Sequence, residues 1–266
     1  MINEKPIAYG RTAEIYAWKN NTILKLFYDW VPTRDPHYEA TIHQQVQKHS
    51  LPIPKLIEET HFNGRAGIVY ERVQGPDMLT VLFQKLWRLP CLIQQMATLQ
   101  SQLHQVQISE LPTLKDKIRY DISSVALLTQ SEKDQLIKHL DQLPNRSNLC
   151  HFDFHPGQII LTESGPVIVD WITACQGDPD GDIARTLTLL KFAVLPDPNV
   201  LKQILLRLIS RWISRIYLNQ LAKLDPQFDR QAIQAWMLPI AAARLSENVT
   251  NEEQKILTWI RKKLKN

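Results

Sequence analysis

The stretch from Asn148 to Trp171 restricts the fold more than any other part of the chain. It reads NLCHFDFHPGQIILTESGPVIVDW, two apolar runs around the turn Glu163-Ser164-Gly165-Pro166. Runs of this length about such a turn predict a short β-hairpin. Polar residues gather at both ends of it, with His151, Asp153, His155 and Gln158 before the first run and Asp170 after the second. An antiparallel pair brings its ends together, so a loop before one strand and a carboxylate beyond the other are set to converge.

The rest of the chain falls on either side of this island. Before Gln74 short strand-like runs alternate with turns: KPIAY, EIYAW, NTILKLFY, KLIEE and AGIVYERV, all rich in β-branched and aromatic residues. One helical segment interrupts them from about Asp35 to His49, where Tyr38, Ile42 and Val46 repeat four apart and SLPIP ends the helix. The order is three strands, a helix and two strands. After the turn formers Gln74-Gly75-Pro76, which read as a hinge, apolar periodicity predicts helices in residues 77–107, 115–142, 182–194, 200–223 and 229–263. An α+β chain of two lobes is expected, a sheet-bearing N-lobe over residues 1–74 and a mostly helical C-lobe over residues 75–266.

Singly, Asp153 and Asp170 read as turn caps bonding nearby amides. Jointly, with Gln158, they form a set suited to phosphoryl transfer. That chemistry needs one carboxylate to accept or orient the acceptor hydroxyl, and a second with an amide to hold magnesium against phosphates. At these residues the segment resembles the catalytic loop and metal aspartate of the aminoglycoside phosphotransferases and the choline and homoserine kinases, and more distantly the protein kinases. The resemblance extends over most of the chain and implies a bilobal protein-kinase-like fold, ATP and Mg2+ as cofactors, and a small hydroxylated molecule as acceptor. It implies Asp153 as catalytic base, Asp170 as principal magnesium ligand, and Gln158 where the family usually has a metal-binding asparagine. His151 would buttress the loop. The extra methylene of Gln158 keeps a hard amide oxygen but moves it.

The resemblance also places a phosphate-contacting lysine on the third strand, where Lys25 lies within Ile23-Leu24-Lys25-Leu26-Phe27. Its expected partner is Glu39 on the following helix, with Glu14 and Asp35 less well placed. Gly10 and Thr12, in Tyr9-Gly10-Arg11-Thr12-Ala13-Glu14, would belong to the loop covering the nucleotide. The segment Val69-Tyr70-Glu71-Arg72-Val73 resembles the connector that receives the adenine ring, which brings Glu71 and Val73 into the nucleotide site. Asp182 reads as the N-cap of the helix after it, and in the family an aspartate here also braces the catalytic loop. Glu247 is a weak pointer to the acceptor and reads equally as a surface residue.

Other readings fit less well. The run Gly177-Asp178-Pro179-Asp180-Gly181-Asp182 alternates aspartates like a calcium loop, yet Ile183 and Leu189 stand where glycine and glutamate are needed. Cys150, His151, His155 and Cys175 lack the close CxxC pair of a zinc site. A non-catalytic nucleotide-binding module stays open on account of Gln158 and the glycine-poor loop. A net charge of +4 is too small to demand a polyanionic partner. Beyond Val200 Lys and Arg outnumber acids about two to one. There Ile204, Leu205, Leu208, Ile209, Trp212, Ile213 and Ile216 recur at helical spacing opposite an arginine stripe at 207, 211 and 215, which reads as a solvated face. Neither a nucleic-acid nor a membrane partner is expected. With no apolar run near the roughly 18 residues of a membrane span, and three scattered cysteines read as buried thiols, a cytoplasmic setting is expected.

Overall fold

A computed structural model of the protein describes residues 5–32, 34–193, 200–249 and 251–265. Its packing divides the chain into two compact units, Met1–Gln84 with Gly157–Thr173, and Lys85–Pro156 with Ala174–Asn266. In chain order, strands β1 (Ala8–Tyr9), β2 (Ala13–Trp18) and β3 (Thr22–Phe27) precede helix α1 (Arg34–Gln47), followed by β4 (Leu56–Phe62), β5 (Arg65–Glu71) and α2 (Met78–Gln84). Next come α3 (Leu89–Leu103), α4 (Leu114–Ser124), α5 (Gln130–Gln142), β6 (Asn148–Cys150) and the hairpin strands β7 (Ile159–Thr162) and β8 (Gly165–Ile168). Strand β9 (Cys175–Gly177) leads into α6 (Pro179–Phe192), α7 (Val200–Leu224), α8 (Arg230–Arg244) and α9 (Glu253–Leu264).

The first unit is built on one antiparallel sheet in the order β1-β2-β3-β5-β4. Period-two alternation sorts β3 onto two faces. Leu24 and Leu26 pack with Val69 on one, while Phe27 joins Ala13, Ile68, Tyr70 and Ala40 of α1 on the other. Lys25 shares the parity of Ile23 and Phe27, so it rises on the side that α1 covers. Helix α1 buries Ala40, Ile42 and Val46 together with the polar Glu39 and His43. Tyr38, expected on the same stripe, is 41% exposed, because Glu39 takes the inward position instead.

The turn formers after Gln74 pack directly on the hairpin. Gly75 has φ +153, and a Cβ there would lie 2.1 Å from the Leu161 carbonyl oxygen. Next to it, the Leu161 N–H donates to the Pro76 carbonyl at 2.9 Å. Only glycine lets the two backbones approach this closely.

The second unit is mostly helical, with α3 packed along α7 and α6 along α8. Helical pattern in the sequence runs on through several breaks. A short 3₁₀ turn, Leu86–Arg88, separates α2 from α3. Thr129 restarts the chain at α5 with a capping box to Glu132, and Asn248 at φ +51 ends the 3₁₀ turn between α8 and α9. The three-residue pair β6–β9 sets Cys150 opposite Cys175, both buried, whereas Cys91 is exposed rather than buried as expected. The apolar row expected to bury α7 is mostly outside. Of it only Ile213 is buried, while Ile204, Leu205, Leu208 and Trp212 are exposed. The core positions go instead to Ser210, Ile213, Tyr217 and Leu221, since Tyr217 can send its hydroxyl to Gln100 of α3 and so tolerates burial. Among the described residues no helix is long and apolar enough to cross a membrane.

Helix α6 begins one turn earlier than the sequence suggests. Asp178 is its N-cap, accepting from the Asp180 N–H at 2.9 Å, with Pro179 at the first helical position. Burial, helped by the Asp178 carboxylate, pushes the Asp180 carboxyl up to about 6. The folded state therefore holds a proton that the unfolded chain releases at 3.8, and stability falls as pH rises between these values. Asp180→Asn is expected to melt at higher temperature than the parent protein above about pH 6 and to match it below about pH 4. Thermal unfolding across that range checks this.

Candidate active site

In the first unit one ammonium gathers two carboxylates. The Lys25 Nζ lies 2.7 and 2.8 Å from the two Glu39 oxygens and 3.5 Å from Asp170 Oδ1. Glu39 is nearly solvent-free and also receives the Tyr70 hydroxyl at 3.0 Å. Burial works against the Lys25 charge, but Glu39 and then Asp170 outweigh it and raise its pKa above the ordinary lysine value. Glu14 is engaged elsewhere, with Arg65 at 2.8 Å, and Asp35 with Arg34 at 3.6 Å.

The hairpin accounts for the position of Asp170. Ile159 pairs with Ile168, and the Val169 N–H donates to the Gln158 carbonyl at 3.0 Å, so residues 158 and 170 emerge side by side. Gln158 Nε2 lies 3.4 Å from Asp170 Oδ2. Asp170 has φ +64, a left-handed conformation that a non-glycine residue adopts at some expense and that concentrates at functional sites. These two side chains offer a carboxylate and an amide, both hard oxygen donors. Among the described residues no three His, Cys, Asp or Glu side chains cluster as metal ligands. A magnesium held by one or two protein groups and by substrate phosphates needs no such cluster, so the donor pair fits that ion.

Gly10 and Thr12 lie in the turn joining β1 to β2, where the Gly10 N–H donates to Ala13 at 2.8 Å and the Thr12 carbonyl accepts from Tyr28 at 2.9 Å. Glu71 ends β5, its side chain accepting from the Lys55 N–H at 3.2 Å, and Val73 follows it, half-buried.

In the second unit the loop after β6 is clamped to α6. Buried Asp182 accepts the Phe152 N–H at 2.7 Å, the His151 N–H at 3.3 Å, Gln100 Nε2 at 2.8 Å and His104 Nε2 at 2.9 Å. It lies inside α6 and not at its cap. Arg185 Nε donates to the Phe152 carbonyl at 3.1 Å and the Thr186 hydroxyl to Phe154 at 2.8 Å. Phe152, at φ +62, is thus held in a left-handed conformation by bonds on both sides of it. His151 is fully buried, and its Nδ1 accepts the Asp153 N–H at 3.3 Å.

The loop presents Asp153 between His155 and Arg185. His155 Nε2 is 3.7 Å from Oδ2, and Arg185 Nη2 is 3.7 Å from Oδ1. Burial would raise the Asp153 pKa, but the His155 hydrogen bond and charge, followed by Arg185 and His151, hold it well below the usual carboxylate range. Arg185 also reaches Glu247 at 2.7 Å, and Arg244 bridges Glu247 to Glu252. Glu247 is therefore a half-buried, doubly paired residue and not a free surface carboxylate. Sequence reasoning missed Arg185, Gln100 and His104. The one local signal was Arg185, a charged residue one turn from Asp182.

A sheet carrying a buried Lys–Glu pair, then a clamped loop after β6, a hairpin and a following aspartate within a helical chain, make up the protein-kinase-like fold of phosphotransferases. Residues 5–208 match the phosphotransferase enzyme family (APH), which is most of the chain, and the protein belongs to that family. Among solved structures, a thermostable mutant of aminoglycoside phosphotransferase APH(4)-Ia, in ternary complex with AMP-PNP and hygromycin B, is similar. It is 14% identical with a TM-score of 0.65, covering 96% of this chain and 89% of that one. The choline kinase from Cryptosporidium parvum Iowa II is 13% identical with a TM-score of 0.58, over 98% and 88% of the two chains. APH(2″)-IIa in its streptomycin–ATP complex is 17% identical with a TM-score of 0.58, over 96% and 89%. No curated protein sequence matches the chain.

Proposed function

We propose that this phosphotransferase moves the γ-phosphate of ATP to a hydroxyl of a small molecule and depends on magnesium. Residues 1–74 would serve as the nucleotide-covering lobe and residues 75–266 as the lobe carrying the catalytic loop and the acceptor site. The observation that carries the reading is the Lys25–Glu39–Asp170 cluster. A lysine fixed by a buried glutamate and reaching an exposed aspartate is poised between phosphate and metal ligand.

In this reading Glu39 orients Lys25 toward the phosphates. The turn with Gly10 and Thr12 covers the nucleotide, and the backbone at Glu71 and Val73 receives the adenine. Asp170 and Gln158 would hold magnesium, which when bound neutralises charge on the phosphate oxygens. Asp153, kept ionised by His155 and Arg185, accepts the hydrogen bond of the acceptor hydroxyl and so turns that hydroxyl oxygen's lone pair toward phosphorus. Most of the acceleration comes from positioning and charge stabilisation. Glu247 is already neutralised by two arginines, which favours a neutral or anionic hydroxylated acceptor over a polycation.

The test needs no acceptor. ATP at a hundredfold excess over its Kd should stabilise the folded protein by about 2.7 kcal/mol, and part of that shift should require magnesium. Asp170→Asn is expected to abolish the magnesium-dependent part while leaving the protein folded. No shift at millimolar ATP with magnesium would overturn the reading in favour of a non-catalytic module.

A further inference from the structure

Helix α7 has two apolar faces. The buried one is formed by Ser210, Ile213, Tyr217 and Leu221. At 3.6 residues per turn, the row Ile204, Leu208 and Trp212, with Leu205 beside it, falls on the opposite side. These four are 46, 54, 46 and 56% exposed. Exposed Arg207, Arg211 and Arg215 follow one flank of the row. Over Val200–Leu224 the helix contains no aspartate or glutamate, and residues 78–109, which include all of α3, contain none either.

The two helices run in the same direction. The last turns of α7 place Leu221 and Asp225 around one cavity with Ser101 and His104 from the end of α3. The first turns of α7 therefore lie toward the start of α3. That start follows the turn Leu86–Arg88, where Leu86 and Trp87 are 50 and 76% exposed beside the exposed Lys85 and Arg88. One end of an acid-free helix pair thus carries aliphatic, tryptophan and basic side chains in water.

We propose that this end binds the surface of a membrane containing anionic lipid. The apolar row would enter the boundary between headgroups and acyl chains, Trp212 and Trp87 would sit at headgroup level, and the arginines would pair with lipid phosphates. A second copy of the chain fits less well, because a two-fold contact on this face sets like arginines against one another. Single-stranded nucleic acid would stack on aromatic rings, and the row is aliphatic at three of four positions. The inference goes beyond the phosphotransferase reading and does not rest on it.

The test is co-sedimentation of the full chain with vesicles of phosphatidylcholine alone and of phosphatidylcholine with phosphatidylglycerol. Pelleting is expected with the anionic vesicles only, weakening as salt is added. The triple variant Arg207→Gln, Arg211→Gln, Arg215→Gln should bind about a hundredfold more weakly, from roughly fivefold per arginine. Leu208→Ser with Trp212→Ser should abolish pelleting. Both variants change only exposed positions, so unchanged melting temperatures verify that the fold is kept. Failure to pellet with anionic vesicles, equal pelleting with neutral ones, or full binding by either variant would overturn the proposal. So would a concentration-dependent dimer that Leu208→Glu dissociates without any binding to lipid.

Discussion

Asp153→Asn is expected to lower phosphotransfer by about 10³-fold, the range a positioned proton acceptor contributes, while ATP still shifts the melting temperature as in the parent protein. Asparagine keeps the shape and the backbone bond to His151 but removes the charge that His155 and Arg185 flank at 3.7 Å. Because His155 and Arg185 hold the carboxylate well below its usual range, Asp153 stays ionised across pH 5–8, and turnover should show no acid limb from it there. Steady-state ADP release in the presence of an accepted alcohol checks both points. An asparagine variant with full turnover would remove Asp153 from the chemistry.

The second large effect is on stability. Asp182 is fully buried and collects two backbone amides of the loop after β6 and the side chains of Gln100 and His104. Asp182→Ala leaves those donors without an acceptor in the core, which costs about 3–5 kcal/mol when a buried charged partner is removed. For a chain of this size that corresponds to a fall in melting temperature of about 10 °C. Burial opposes the Asp182 charge, but His104, Gln100 and the Phe152 amide outweigh it and lower its pKa. Its contribution is therefore present at neutral pH and is lost only as pH falls through that lowered value. Differential scanning calorimetry of the variant at neutral pH tests the size of the effect, and an unchanged melting temperature would mean that the loop is held by other means.

How far the sequence could be read depends on the range of each interaction. The strands of the first unit and the hairpin at residues 159–168 follow from alternation and turn chemistry, which act over a few residues. The pairing of Lys25 with Glu39 is also nearly local, since the period-two parity of β3 turns Lys25 toward the next helix. The clamp on the loop after β6 was not legible. Asp182 finds Gln100 and His104 about eighty residues earlier in the chain, and no spacing rule links them. Asp178 rather than Asp182 caps α6 because Pro179 starts the helix one turn sooner. Helix α7 misled for a different reason. Its core face contains Ser210, which is polar, and Tyr217, which carries a hydroxyl, while Ile204, Leu208 and Trp212 satisfy the pattern on the solvent side.

Phosphoryl transfer to a small alcohol leaves a product that can be observed directly. The most direct test is phosphorus NMR of the protein incubated with ATP, magnesium and a panel of neutral and anionic hydroxylated metabolites. A new phosphomonoester resonance is expected with ADP formed in equal amount, absent without magnesium and absent for Asp153→Asn. ATP that binds but never yields a phosphomonoester on any member of the panel, or product formed equally well by Asp153→Asn, would contradict it.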